Sequence, residues 1–134
     1  MSAILICEDD AYLAADLTMS VESAGHQVHG VYSNARDALQ SVGKLKPDVA
    51  IIDLELADGH TGSSLARTLE SLGVKVIVIS GHPNTGTGLG NVAHIYAEKP
   101  VSRELVEHLL GAPARRMTEP QTLGRRIAAA PETR

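Results

Sequence analysis

The sequence predicts an α/β fold: a single parallel sheet wound with helices on both faces. Three observations predict it. Five short apolar runs alternate with stretches of helical period. Turn residues bound each run. The apolar residues are almost entirely Val, Ile, Leu and Ala, with no Trp, no Phe and only three Tyr. Such residues suit strands buried on both faces. Strict β–α alternation means that consecutive strands are joined by crossovers, so they run parallel.

The first run, Ala3–Cys7, reads as a buried strand. Leu13, Leu17, Val21 and Ala24 then fall on one helical face, and Gly25 follows as a helix-ending residue. The second run, Gln27–Tyr32, is the most polar and is expected at a sheet edge. Ala35, Ala38, Leu39 and Val42 form the next helical stripe, capped by Ser33 or Asn34 and followed by Gly43. Residues 49–52 form the third strand. Leu65, Ala66, Leu69 and Leu72 make a third stripe before Gly73. Residues 74–79 form the fourth strand and residues 92–97 the fifth. Leu105, Val106, Leu109 and Leu110 make the last stripe, between a Ser102 cap and Gly111.

Topology calls for a helix between the fourth and fifth strands. The segment 84–90 carries three glycines, each unfavourable in a helix by roughly 1 kcal/mol relative to Ala. A short, frayed or mobile element is expected there. Residues 1–111 are expected to form the folded domain. Residues 112–134 hold three prolines and five arginines, and read as a flexible basic tail with at most a helical turn over 123–130.

The net charge of −4 is unevenly spread. The first 111 residues carry 14 Asp/Glu against 7 Lys/Arg. An acidic body argues against nucleic-acid binding, which needs a basic surface. Cys7 has no partner for an intramolecular disulfide, which fits a reducing compartment. There is no signal-peptide pattern and no apolar run of membrane-spanning length. The expectation is a soluble cytoplasmic protein without a membrane partner.

In a parallel sheet of this kind, ligands sit at the edge where the strands end, at the point where strand order reverses. Here the first strand ends in Glu8-Asp9-Asp10, the third in Asp53, the fourth in Ser80 and the fifth in Glu98-Lys99-Pro100. Each piece alone is commonplace: an acidic pair before a helix is usually a cap, and an Asp after a strand usually opens a loop. Four strand ends with complementary groups are far more specific. Clustered carboxylates repel one another unless a cation joins them. Mg²⁺ prefers oxygen ligands and keeps waters that phosphate oxygens can replace. Asp9 and Asp53 can each supply a carboxylate oxygen, with Glu8 holding a metal-bound water. Carboxylates also act as nucleophiles toward phosphoryl groups. Lys99 and the Ser80 hydroxyl can stabilise the transferred charge.

At these positions the sequence resembles the receiver domain of two-component response regulators. The resemblance is carried by Ile4-Leu5-Ile6-Cys7-Glu8-Asp9-Asp10, by residues 46–56 around Ile52-Asp53-Leu54, by Val78-Ile79-Ser80-Gly81 and by Tyr96-Ala97-Glu98-Lys99-Pro100. It implies a flavodoxin-like, doubly wound five-stranded sheet of order 2-1-3-4-5. It implies that Asp53 accepts a phosphoryl group from a sensor histidine kinase or a histidine phosphotransfer protein. Glu8, Asp9, Asp53 and the backbone carbonyl of Glu55 are the implied Mg²⁺ site. Ser80 and Lys99 are implied to bind the phosphoryl group, and Ser80 with Tyr96 to form the switch. The Lys99–Pro100 peptide is implied to be cis.

Three features depart from the common pattern. Ala57 stands where proline is frequent, the loop through Asp58-Gly59-His60-Thr61-Gly62 is one residue longer, and the segment 84–90 replaces a well-formed helix. Nothing after Gly111 is long enough for an output domain, so signalling to an unidentified partner protein is expected, by a non-enzymatic switch that is a monomer or a weak phosphorylation-dependent dimer. A phosphate sink or shuttle and a phosphorylation-independent partner-binding receiver are the alternatives. An FMN-binding flavodoxin-like module fits less well, since the loop after the first strand is acidic and the ring-stacking aromatics Trp and Phe are absent. An aspartyl-nucleophile phosphatase fits poorly too, as its nucleophile follows the first strand. The six histidines show no metal-ligand spacing.

Overall fold

A computed structural model describes residues 2–81 and 89–112 of the 134. The expected element at 84–90 falls outside these residues except for Leu89 and Gly90. The tail with its turn at 123–130 lies outside them as well. Five strands and four helices are present among the described residues: β1 (Ala3–Cys7), α1 (Ala11–Ser23), β2 (Gln27–Tyr32), α2 (Ala35–Lys44), β3 (Val49–Asp53), α3 (Gly62–Ser71), β4 (Lys75–Ser80), β5 (Ile95–Glu98) and α4 (Arg103–Gly111).

All strand pairings are parallel, and the order is β2-β1-β3-β4-β5. β3 is buried at every position, because helices cover both of its faces. β2 lies at the edge and has no buried residue. Alternation of side chains along the strands divides the core in two. Leu5, Cys7, Ala50, Ile52, Val76, Val78 and Tyr96 face α2 and α3. Ile4, Ile6, Ile51, Ile77, Ile79 and Ala97 face α1 and α4.

Caps fix where the helices begin. Asp10 accepts hydrogen bonds from the backbone of Tyr12 and Leu13, Asn34 from Asp37, and Ser102 from Leu105. Asn34, not Ser33, therefore starts α2. Helix α2 runs through Gly43 to Lys44, since Leu45 N still donates to Ser41 O at 3.0 Å. Leu72 lies beyond α3 and is exposed, and Leu39 is exposed within α2, so neither belongs to the core stripe assigned to it. Gly25 and Gly73 take positive φ after their helices, which glycine adopts without strain.

Two strands start later than the apolar runs suggest. β4 begins at Lys75, and β5 begins at Ile95, where pairing with Ile77 starts. Val92 is spent on a turn, its N–H donating to Leu89 O at 2.9 Å, although its side chain remains in the core.

Candidate functional site

Strand order reverses between β1 and β3, and their carboxyl ends open one crevice. Three consecutive acids leave β1 in three directions. Glu8 continues the ladder, its N–H donating to Tyr32 O at 2.8 Å, and the residue is 2% exposed. Asp9 is exposed at the rim. Asp10 turns away to cap α1, while its own N–H donates to Glu8 Oε2 at 3.1 Å.

Asp53 ends β3 and is 4% exposed. Its Oδ1 accepts from Glu55 N at 3.0 Å, and its Oδ2 accepts from Lys99 Nζ at 2.8 Å. Lys99 Nζ also lies 3.2 Å from Glu8 Oε1. Lys99 follows the end of β5. Its N–H donates to Ser80 O at 2.9 Å, and the Lys99–Pro100 peptide is cis. Ser80 is buried at the end of β4, and its hydroxyl hydrogen-bonds the hydroxyl of Tyr96. The Tyr96 ring is fully buried among the α2/α3-facing core residues.

A carboxylate oxygen from each of Glu8, Asp9 and Asp53 lies within 4.8 Å of the others. They share a cleft of about 460 Å³ with Asp10, Glu55, Leu56, Gly59, His60, Gly81 and Lys99. Burial first, then the neighbouring Asp53 charge, pushes the Glu8 pKa up to about 7, against the opposing backbone N–H of Asp10 and the charge of Lys99. Burial alone would lower the Lys99 pKa, but its hydrogen bond to Asp53 and the two negative charges outweigh that and raise it.

The donor set suits a hard divalent cation. It is all oxygen, carries surplus negative charge, and leaves Glu8 Oε1 buried with no hydrogen-bond partner beyond the Lys99 ion pair. The residues present therefore fit Mg²⁺.

The loop after β3 is held on several sides. Leu56 and Gly59 exchange hydrogen bonds at 3.0 and 2.9 Å, with Gly59 at φ +102°. Asp58 Oδ1 accepts from the Thr61 hydroxyl at 2.6 Å and from Ala35 N at 3.3 Å. These bonds hold the Asp58 carboxyl below the usual carboxylate range, the Thr61 hydroxyl contributing most. Gly62 packs so closely that a Cβ would stand 2.4 Å from Asp53 O and 2.5 Å from Leu54 Cα.

A family model described as the response regulator receiver domain matches residues 4–110. The chain belongs to the response regulator receiver domain family. It is 33% identical over 121 residues to the virulence transcriptional regulatory protein PhoP of Salmonella typhimurium, covering 87% of this chain and 53% of that protein. It is 37% identical over 82 residues to the phyllosphere-induced regulator PhyR of Methylorubrum extorquens, covering 60% of this chain and 31% of PhyR. The receiver domain of a modulated diguanylate cyclase from Desulfovibrio desulfuricans G20 superimposes with a TM-score of 0.74 at 28% identity, covering 82% of this chain and 90% of that one. The chain thus spans about a third to a half of the curated relatives it matches.

Within this receiver domain, the fold brings Glu8, Asp9, Asp53, Glu55 and Lys99 to one cleft, with Ser80 buried immediately behind Lys99. The longer loop was not legible as part of the cleft: Gly59 and His60 line it, although His60 reads in the sequence as an ordinary surface histidine.

Proposed function

We propose that this receiver domain accepts a phosphoryl group on Asp53, with Mg²⁺ at Glu8, Asp9, Asp53 and the Glu55 carbonyl, and signals through Ser80 and Tyr96. The observation that carries the reading is the Asp53 carboxylate, buried at the cleft floor with one oxygen on Glu55 N and the other on Lys99 Nζ. A carboxylate so fixed is oriented as a nucleophile and shielded from competing contacts.

Bound Mg²⁺ supplies positive charge for the outer phosphoryl oxygens. Asp53 forms the new P–O bond as the donor's bond to phosphorus breaks, and the departing group keeps the electron pair. The Lys99 ammonium, already 2.8 Å from Asp53, follows the charge to a phosphoryl oxygen. In the resting site Asp53 and Glu8 hold the Lys99 pKa above its ordinary value. The Ser80 hydroxyl exchanges its Tyr96 partner for a phosphoryl oxygen. Full switching of a two-state element requires about 5.5 kcal/mol. Lys99 already bonds Asp53 and Ser80 already bonds Tyr96, so only the excess of the new phosphoryl bonds over these biases the switch. The donor is a sensor histidine kinase or histidine phosphotransfer protein, and the output passes to a partner protein.

The test is intact-protein mass spectrometry after incubation with a small acyl phosphate, with and without Mg²⁺, on the wild type and Asp53→Asn. A single Mg²⁺-dependent phosphoryl adduct, lost in the variant, supports the reading. Unmodified protein under all conditions, including with a donor kinase, contradicts it.

A further inference from the structure

Phosphoryl transfer runs in line: the attacking and leaving groups occupy opposite apical positions on phosphorus. Asp53 approaches from the buried floor of the cleft. The opposite position therefore faces the exposed rim, formed by Asp9, Glu55, Gly59, His60 and Gly81. Among the described lining residues, side chains able to donate a hydrogen bond are few. The acids only accept, Leu56 and the glycines carry no side-chain donor, and Lys99 is held by Asp53 and Glu8. His60 is the exception. Its imidazole makes no hydrogen bond to the described residues, yet its backbone is fixed. The Leu56–Gly59 pair holds it on one side and the Thr61–Asp58 bond on the other. Gly62, pressed against the Asp53 and Leu54 backbone, anchors the same loop to the acceptor strand. The uncommitted ring is thus carried on a braced loop at the mouth of the cleft.

We propose that His60 hydrogen-bonds whatever group occupies the outer apical position. In phosphorylation that group is the donor's leaving group: the P–O bond to Asp53 forms, the donor's bond to phosphorus breaks, and the departing group keeps the electron pair. In hydrolysis it is water: the new P–O bond forms, a proton passes to solvent, the P–O bond to Asp53 breaks, and Asp53 returns as carboxylate beside inorganic phosphate. His60 is a positioning residue for both steps. The inference rests on Asp53 being the acceptor.

The experiment compares the wild type, His60→Ala and His60→Gln. It measures adduct formation from a small acyl phosphate by intact mass, adduct decay after donor removal, and Mg²⁺ affinity. His60→Ala is expected to slow formation and decay together by about fivefold, the scale of one lost hydrogen bond. His60→Gln, which keeps an N–H donor, is expected to stay within about twofold of wild type. Mg²⁺ affinity is expected to be the same in all three. Unchanged rates in His60→Ala, a change in one rate only, or no rescue by Gln would each overturn the assignment. An absence of adduct in the wild type would instead overturn the acceptor reading beneath it.

Discussion

Glu8 is the site residue that burial perturbs toward its protonated form. Its carboxyl is nearly fully buried, and its pKa is pushed up to about 7, first by burial and then by Asp53. An acid whose folded pKa is raised binds more protons folded than unfolded, so stability falls as pH rises from about 4.5, the ordinary value, to about 7. Above that window the cost is constant. Glu8→Gln removes it. The variant is expected to melt a few degrees higher than wild type at pH 8 without Mg²⁺, with a smaller gain at pH 5. It is also expected to bind Mg²⁺ more weakly at pH 8, as titration calorimetry would show. A lower melting point at pH 8 would mean that Glu8 stabilises the empty cleft. Gly62 makes a different residue-scale prediction. A Cβ there meets backbone, which cannot rotate away, so Gly62→Ala is expected to cost about 1–3 kcal/mol in urea unfolding. An unchanged midpoint would show that the start of α3 shifts freely.

At the scale of elements, caps and turns position the site. Asp10 both starts α1 and donates its N–H to Glu8, so one residue sets the helix and aims the acid behind it. Asn34 caps α2 in the same way, and Asn34→Ala is expected to cost about 1 kcal/mol while leaving Mg²⁺ affinity unchanged. A fall in Mg²⁺ affinity with no loss of stability would contradict that separation. The strand ends were legible because each apolar run stops at a charged or hydroxyl residue: Cys7 before Glu8, Ile52 before Asp53, Ile79 before Ser80. Starts of elements were less legible. The run 92–97 is apolar throughout, but only pairing with β4 decides that β5 begins at Ile95. Gly43 reads as a stop signal, yet α2 continues one residue further. The cleft wall at Gly59 and His60 depends on hydrogen bonds from Asp58 and the Gly59 turn, which no local pattern announces.

At the scale of the whole molecule, the two-sided core seals the sheet, and Cys7 reports on that seal. Burial, then the Asp58 and Asp53 charges, raises its pKa to about 12, and the residue is fully buried on the α2/α3 side of β1. At pH 8 the thiol is protonated and inaccessible. Labelling by a thiol reagent is therefore expected to be slow in the native protein and to accelerate only across the global unfolding transition in urea. Rapid labelling without denaturant would show that β1 opens locally. Deletion of the basic tail, 112–134, is expected to leave phosphorylation of Asp53 intact by intact mass. Its loss would make the tail part of the site.

The most direct measurement is to locate the phosphoryl group itself. The protein would be incubated with a small acyl phosphate and Mg²⁺, and the acyl phosphate trapped by borohydride reduction. The modified residue would then be identified by peptide sequencing in a mass spectrometer. Reduction at Asp53 alone, dependent on Mg²⁺, is the expected result. Modification at Asp9, Glu8 or any other carboxylate, or at Asp53 without a need for Mg²⁺, would contradict an acceptor site built from these strand ends.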